Sequence, residues 1–334
     1  MAVVTNPGRE TPGVSAAATA PRPLVGQASG LARRVKVYDR VGKALLSLTL
    51  LISLAVLAIL LFDVATKALP VLTGRPVEFL TGGQSSNAEV YGIRQGLRGT
   101  FWIAAFTILL SFPIGIATAV YLEEYAPDNR FTRFIDVNIR NLAGVPSVVY
   151  GLLGLAVFVR LLGPSTATTD SLLNMTGGRS AVSAGLTIAI LVLPIVIITA
   201  AESIRAVPNT LREGGYGIGG TKWQVTSRLV LPSAMPGILT GTILSLSRAI
   251  GETAPLIVVG VTTGFLVSQG GFLERLYGPY TALPAQIYTL ARQPQAAFRN
   301  ELSAAAIVVL LLVTLTANAV AIVLRNRYDK GRAR

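Results

Sequence analysis

The chain has 334 residues, of which 51% are hydrophobic and only 13% charged, a balance too apolar for an ordinary soluble domain. It contains neither cysteine nor histidine, which excludes disulfide frameworks and thiolate metal sites and removes the usual general base and the commonest metal ligand. The net charge of +13 lies in small basic groups between apolar runs, which points to a membrane and away from nucleic acid.

Residues 1–30 are rich in Ala, Pro, Gly, Ser and Thr, with little to bury, and read as a disordered cytoplasmic tail. They lack the apolar core of a signal peptide. Arg33, Arg34, Lys36, Arg40 and Lys43 precede the first apolar run, 44–62, in the manner of an uncleaved signal-anchor. Five further apolar runs follow at 99–121, 143–162, 181–201, 234–261 and 303–324, which predicts six transmembrane helices. The segments 63–98 and 264–302 are polar.

Placing both termini inside puts 19 Lys and Arg in cytoplasmic segments against 8 outside, so the charge bias predicts cytoplasmic termini in a plasma membrane. Between the second and third runs, Phe131, Phe134, Ile135 and Ile139 recur at helical spacing. They predict an amphipathic helix lying along the inner membrane surface, or serving as a second docking surface. Arg160, near the outer end of its run, is read as snorkelling to the interface.

The polar block 212–232, between the fourth and fifth runs, is the most informative stretch. Thr210-x-x-Glu213 and Thr221-x-x-Gln224 are two capping-box signatures, with Gly214, Gly215, Gly217, Gly219 and Gly220 between them and Pro232 closing the second. This predicts short helix, glycine turn, short helix on the cytoplasmic side, a shape that a partner protein can grip.

In the fifth run, Arg248 and Glu252 are charges deep in a span, four residues apart, and are expected to share a helix face with Gly241 and Ser245. A charge at mid-bilayer faces protein or water. The pair fits either a structural ion pair or a group of a substrate path, in which Arg supplies a planar fork of donors for an oxyanion and Thr253 lies next to it. A P-loop, G-x-x-x-x-G-K-[ST], does not occur: Gly42-Lys43 is followed by Ala44 and has Val37 where the first glycine belongs.

Glu213, Gly219, Leu229, Leu231 and Pro232 keep every spacing of the E-A-A-x3-G-x9-I-x-L-P pattern of ABC importer permeases, with Gly214 and Gly215 in place of the alanines and Leu229 in place of isoleucine. Arg248-Ala249-Ile250-Gly251-Glu252-Thr253-Ala254-Pro255, Gly144-Val145-Pro146-Ser147-Val148-Val149-Tyr150-Gly151 and Ala119-Val120-Tyr121-Leu122-Glu123-Glu124-Tyr125-Ala126 resemble phosphate-specific ABC importer permeases of the PstA type, from about residue 99 to 324.

The resemblance implies an all-α type I ABC importer permease. It also implies a phosphate import subunit without an ATP site of its own, a sister permease, two ATPase subunits, an external phosphate-binding protein, and no cofactor or metal. Carried over by position, Glu213, Gly219, Leu229, Leu231 and Pro232 fall in the ATPase contact, and Arg248 and Glu252, with Ser245 and Thr253 beside them, in the substrate path. The domain plan that follows is a tail at 1–40, a first helix with its external loop at 41–98, a permease core at 99–325 with its docking loop at 205–232, and a basic tail at 326–334. A permease for another oxyanion, such as molybdate or sulfate, and a stand-alone secondary anion transporter or channel are the rival readings.

Overall fold

The computed structural model describes residues 25–163, 178–261 and 276–332. The expected tail at 1–24 lies outside the described residues, as do 164–177 and 262–275 of the expected external loops. The chain divides into two units, Met1–Leu60 and Leu61–Arg334.

Helix α1 (Val25–Gly74) crosses from the first unit into the second. It begins inside the stretch expected as tail and runs twelve residues past Phe62, into what the sequence suggests is loop. Leu45, Leu46, Leu50 and Leu51 on it are exposed apolar side chains, as suits a lipid-facing span. Pro70 lies within this helix without ending it. The short α2 (Pro76–Thr81) follows, with Pro76 at its start, where a missing N–H costs nothing.

Helix α3 (Arg94–Val120) continues into a π turn, Tyr121–Tyr125. Helix α4 (Arg130–Ala143) opens on Asn129, whose side chain accepts from Thr132 N, and has no buried residue. Phe131 and Phe134 are exposed, as an amphipathic helix at a membrane surface requires. Helix α5 (Ser147–Gly154) and its π-helical continuation Leu155–Leu161 follow at 101° to α4. The bend falls at Pro146, which disfavours the helical conformation of Val145 before it.

Helix α6 (Ala181–Arg205) is the most buried of the long apolar helices, with Ala184, Ile188, Val192 and Val196 wholly covered. Its neighbours reach it through glycine. A Cβ at Gly115 of α3 would stand 2.7 Å from Val196, and one at Gly154 of α5 would fall onto Thr187. Small residues let helix backbones close up where lipid supplies no hydrophobic drive. Ser111 of α3 adds a hydrogen bond to the Ala189 carbonyl, 2.7 Å.

Helices α7 (Asn209–Gly217) and α8 (Lys222–Val225) make the polar block. A π turn, Thr226–Val230, then leads into α9 (Leu231–Gly251) and a short α10 (Ala254–Val259). Helix α11 (Leu283–Ala291) packs on the start of α3, where Leu283 N donates to Thr100 Oγ1 at 2.9 Å. A π turn, Ala297–Leu302, precedes the last helix, α12 (Ser303–Arg332).

Five helical stretches among the described residues are long and apolar enough to cross a membrane: Arg40–Gly74, Arg94–Tyr125, Ala181–Arg205, Lys222–Gly251 and Ala297–Arg327. The pair Arg130–Ala143 and Ser147–Leu161, bent by 101°, makes a sixth only when counted as one broken span.

Candidate functional site

The expected fifth span, 234–261, is not one helix. Helix α9 stops at Gly251, Glu252 is extended (φ −71°, ψ 123°), and α10 restarts with Pro255 in its first turn. Pro255 has no N–H to offer the Gly251 carbonyl, so the ladder breaks there. Arg248 and Glu252 therefore do not share a continuous helix face. They still meet across the break, with Arg248 Nε donating to Glu252 Oε1 at 3.2 Å. The Arg248 side chain is 46% exposed and the Glu252 side chain 16%. Arg248 thus holds one carboxylate oxygen while its outer part stays open.

Two elements frame the break. A Cβ at Gly151 of α5 would stand 2.7 Å from Pro255 Cα, so α5 lies directly against the start of α10. Tyr150, beside it, anchors α5 by donating to the Leu142 carbonyl at 2.9 Å. Thr253 is half-buried within the break.

The stripe expected beside Arg248 is displaced. Ser245 is fully buried, and its hydroxyl donates to the Gly241 carbonyl at 2.9 Å. Gly241 is buried too, so close to Thr199 of α6 that a Cβ there would collide with it. These two residues face the packed bundle because small side chains are what α6 needs there.

The exposed face of α9 carries Ser233, Gly237, Thr240, Leu244, Arg248 and Gly251 instead, spaced by three or four residues. The signal is in the sequence, one residue out of phase with the stripe chosen from it. Part of this face lines a groove of about 900 Å³ between α6, α9 and α12. Two polar contacts reach α9 from α12: Ser247 Oγ donates to Asn318 Oδ1 at 2.6 Å, and Arg325 Nη1 to Thr240 Oγ1 at 2.9 Å.

The second constellation is the polar block. The Thr221–Gln224 capping box forms, with Thr221 N bonded to Gln224 Oε1 at 2.9 Å and Gln224 N to Thr221 Oγ1 at 3.3 Å. The first box does not, since α7 starts after Pro208 with no side-chain cap, leaving Thr210 and Glu213 inside the helix. Gly214 and Gly215 likewise sit within α7, and the turn is made by Gly219, at φ +84°.

Pro232 does not end the second short helix. Lys222–Gly251 runs on as one helical stretch, because the π turn before Pro232 makes a wider bond, Leu231 N to Thr226 O. A widened turn at this point accommodates a proline, which has no N–H to donate. Leu229 and Leu231 lie at the junction, and Leu229 packs back onto Gly215 of α7. Ile218, at the tip, is 89% exposed.

Residues 111–333 match the family described as binding-protein-dependent transport system inner membrane component. The chain belongs to this family of permeases.

The permease is 35% identical over 234 residues to the phosphate transport system permease protein PstA 1 of Mycobacterium tuberculosis, covering 70% of each chain. It is 30% identical over 282 residues to the phosphate transport system permease protein PstA of Haemophilus influenzae, covering 83% of this chain and 90% of that one. Among solved structures, it resembles a chain of a bacterial alginate ABC transporter with TM-score 0.58 at 18% identity, covering 88% of this chain and 94% of that one. It also resembles a chain of the MetNI methionine ABC transporter, with TM-score 0.53 at 16% identity, covering 71% and 97%. The fold is thus that of ABC importer permeases, and the protein crosses its membrane several times.

Proposed function

We propose that this chain is a transmembrane subunit of an ATP-driven importer of inorganic phosphate. The observation that carries this reading is the similarity to two permeases named for phosphate transport, extending over most of the chain. The block 213–232 adds support, since a helix–turn–helix with an exposed Ile218 at its tip suits docking on an ATPase. A stand-alone secondary transporter has no use for such a block.

In this reading the chain has no ATP site of its own, and two ATPase subunits bind Glu213, Gly219, Leu229, Leu231 and Pro232 or their surroundings. A sister permease completes the path, and an external binding protein delivers phosphate. Both termini and the block are cytoplasmic. The path runs past Arg248, Glu252 and Thr253 at the α9 break and along the exposed face of α9, with Ser245 behind it in the packing. Arg248 contacts the anion. Glu252 orients that guanidinium and accepts a hydrogen bond from the hydroxyl that phosphate keeps near neutral pH and sulfate lacks. Pairing also weakens the hold of Arg248 on a dianion, which conduction needs if the ion is to leave.

Uptake of labelled phosphate, with sulfate and molybdate as competitors, tests the assignment in cells that lack other phosphate importers. Accumulation that requires ATP and this subunit, and resists both competitors, is the expected result. Import of molybdate or sulfate in place of phosphate would overturn the assignment.

A further inference from the structure

The π turn that ends α3 carries Glu123, Glu124 and Tyr125, and each is tied to a residue in or beside the polar block. Glu124 is the buried one. Its Oε1 accepts from Arg212 Nε at 3.1 Å and Nη2 at 2.8 Å, and the two side chains are 5% and 17% exposed. Arg212 directs further donors to the carbonyls of Ile204 (2.9 Å) and Val207 (2.7 Å) and to Asn209 Oδ1 (3.2 Å). A guanidinium has five N–H groups, so Arg212 is fully engaged and held in one geometry. Two more exposed ties flank it: Arg205, open to solvent, forks onto both oxygens of Glu123 at 3.1 and 2.6 Å, and the Lys222 ammonium lies 5.1 Å from the Tyr125 ring centre.

The chain enters the block from α6 and leaves it into α9, so the backbone joins the block to those two helices. Helix α3 is joined to neither end of it by the chain and meets it only by packing. Ala119 and Val120 at its end share an apolar cluster with Leu211, Val225 and Val230, a contact that can slide, whereas the π turn adds directional ties, the most buried of which is the Arg212–Glu124 pair. An exposed ion pair contributes little. Breaking a buried one leaves an uncompensated charge and forces the elements apart or into water.

We infer that Arg212 and Glu124 are positioning residues that make α3 follow the docking block, so that a push on α7 reaches the bundle through α3 as well as through α6 and α9. The inference rests on the docking role proposed above. Neither residue touches substrate or ATP in this account. Together they set how much of each ATPase movement becomes transport.

The test uses the assembled transporter in proteoliposomes, with its ATPase and binding protein, and counts labelled inorganic phosphate imported per ATP hydrolysed. Glu124→Gln should lower that ratio roughly tenfold, the scale of a coupling free energy between linked sites, while the ATPase co-purifies in normal amount. Glu123→Gln, in the more open pair, should change it less than about twofold. The chain has no native cysteine, so E124C/R212C can be bridged with a short thiol-reactive linker, and bridging should restore the ratio. An unchanged ratio in Glu124→Gln, or a poor yield of complex that retains the normal ratio, would overturn the inference while leaving docking intact. Failure of the unmodified permease to retain the ATPase would remove docking and this inference together.

Discussion

Arg248 Nε stands 3.2 Å from Glu252 Oε1 across the break that ends α9, with the arginine side chain nearly half exposed and the glutamate largely covered. The asymmetry suits a guanidinium held from one side and offered on the other. Arg248→Gln is expected to cut phosphate uptake by about tenfold to a hundredfold, since hydrogen bonds to charged groups contribute about 1.5–3 kcal/mol, with the complex still assembled. Glu252→Gln should reduce transport and blunt the membrane part's preference for phosphate over sulfate. A purely structural pair predicts instead that each single change lowers assembly and that the exchange Arg248→Glu with Glu252→Arg restores both assembly and uptake. Measuring the two quantities separately in all three variants decides between them.

Gly219 is needed for its backbone, not for lack of room. Its φ is +84°, and an added Cβ would meet no atom within 4 Å. A β-branched residue there should therefore strain the turn, whereas Asn, which tolerates the left-handed region, should be accepted. Gly219→Val is expected to cost about 1–2 kcal/mol in the local turn and to lower coupled transport. Gly219→Asn should stay near normal. Equal transport by both variants would remove the backbone argument.

Gly214 and Gly215, adjacent in α7, should behave oppositely. A Cβ at Gly214 meets nothing within 4 Å, so Gly214→Ala should stabilise the short helix by about 0.5–1 kcal/mol. A Cβ at Gly215 would stand 2.8 Å from Leu229 Cδ1 and 2.9 Å from Val225 Cγ2, so Gly215→Ala must push both side chains out of their packing on α7 and loosen the block. Protease nicking of the block in the purified protein should slow in the first variant and quicken in the second.

Much of this organisation is legible in the chain. The apolar runs locate the helices, because a bilayer imposes a length on each of them. The Thr221–Gln224 box and the amphipathic helix at Phe131 and Phe134 follow from local chemistry alone. What escapes is decided by three-dimensional packing. The Thr210–Glu213 box matches its signature, yet Pro208 caps α7 two residues earlier. Pro232 and Pro255 look alike in sequence, but a π turn absorbs the first and nothing absorbs the second. Ser245 and Arg248 sit one helical step apart, and only the position of α6 decides that the serine is buried and the arginine open. The tie between Glu124 and Arg212 spans 88 residues, beyond the reach of any local pattern.

The orientation has a direct check. With no native cysteine, single cysteines report sidedness without background. Ile218→Cys, at the exposed tip of the block, should react with an impermeant thiol reagent from the cytoplasmic face, and Gln293→Cys, just beyond α11, from the opposite face. Tyr280, although in the same stretch expected to be external, is buried and a poor reporter. Labelling of both positions from one side would break the proposed arrangement.

The central claim is that this permease moves phosphate only when a bound ATPase turns over, and one measurement addresses it most directly. Proteoliposomes containing the assembled transporter, with ATP on the side of Ile218 and phosphate-loaded binding protein on the other, are assayed for labelled phosphate. The account predicts accumulation that stops on ATP removal and falls at least about tenfold in Arg248→Gln although the ATPase remains bound. Phosphate entry that continues at full rate without ATP would contradict it and return the chain to the class of stand-alone anion transporters.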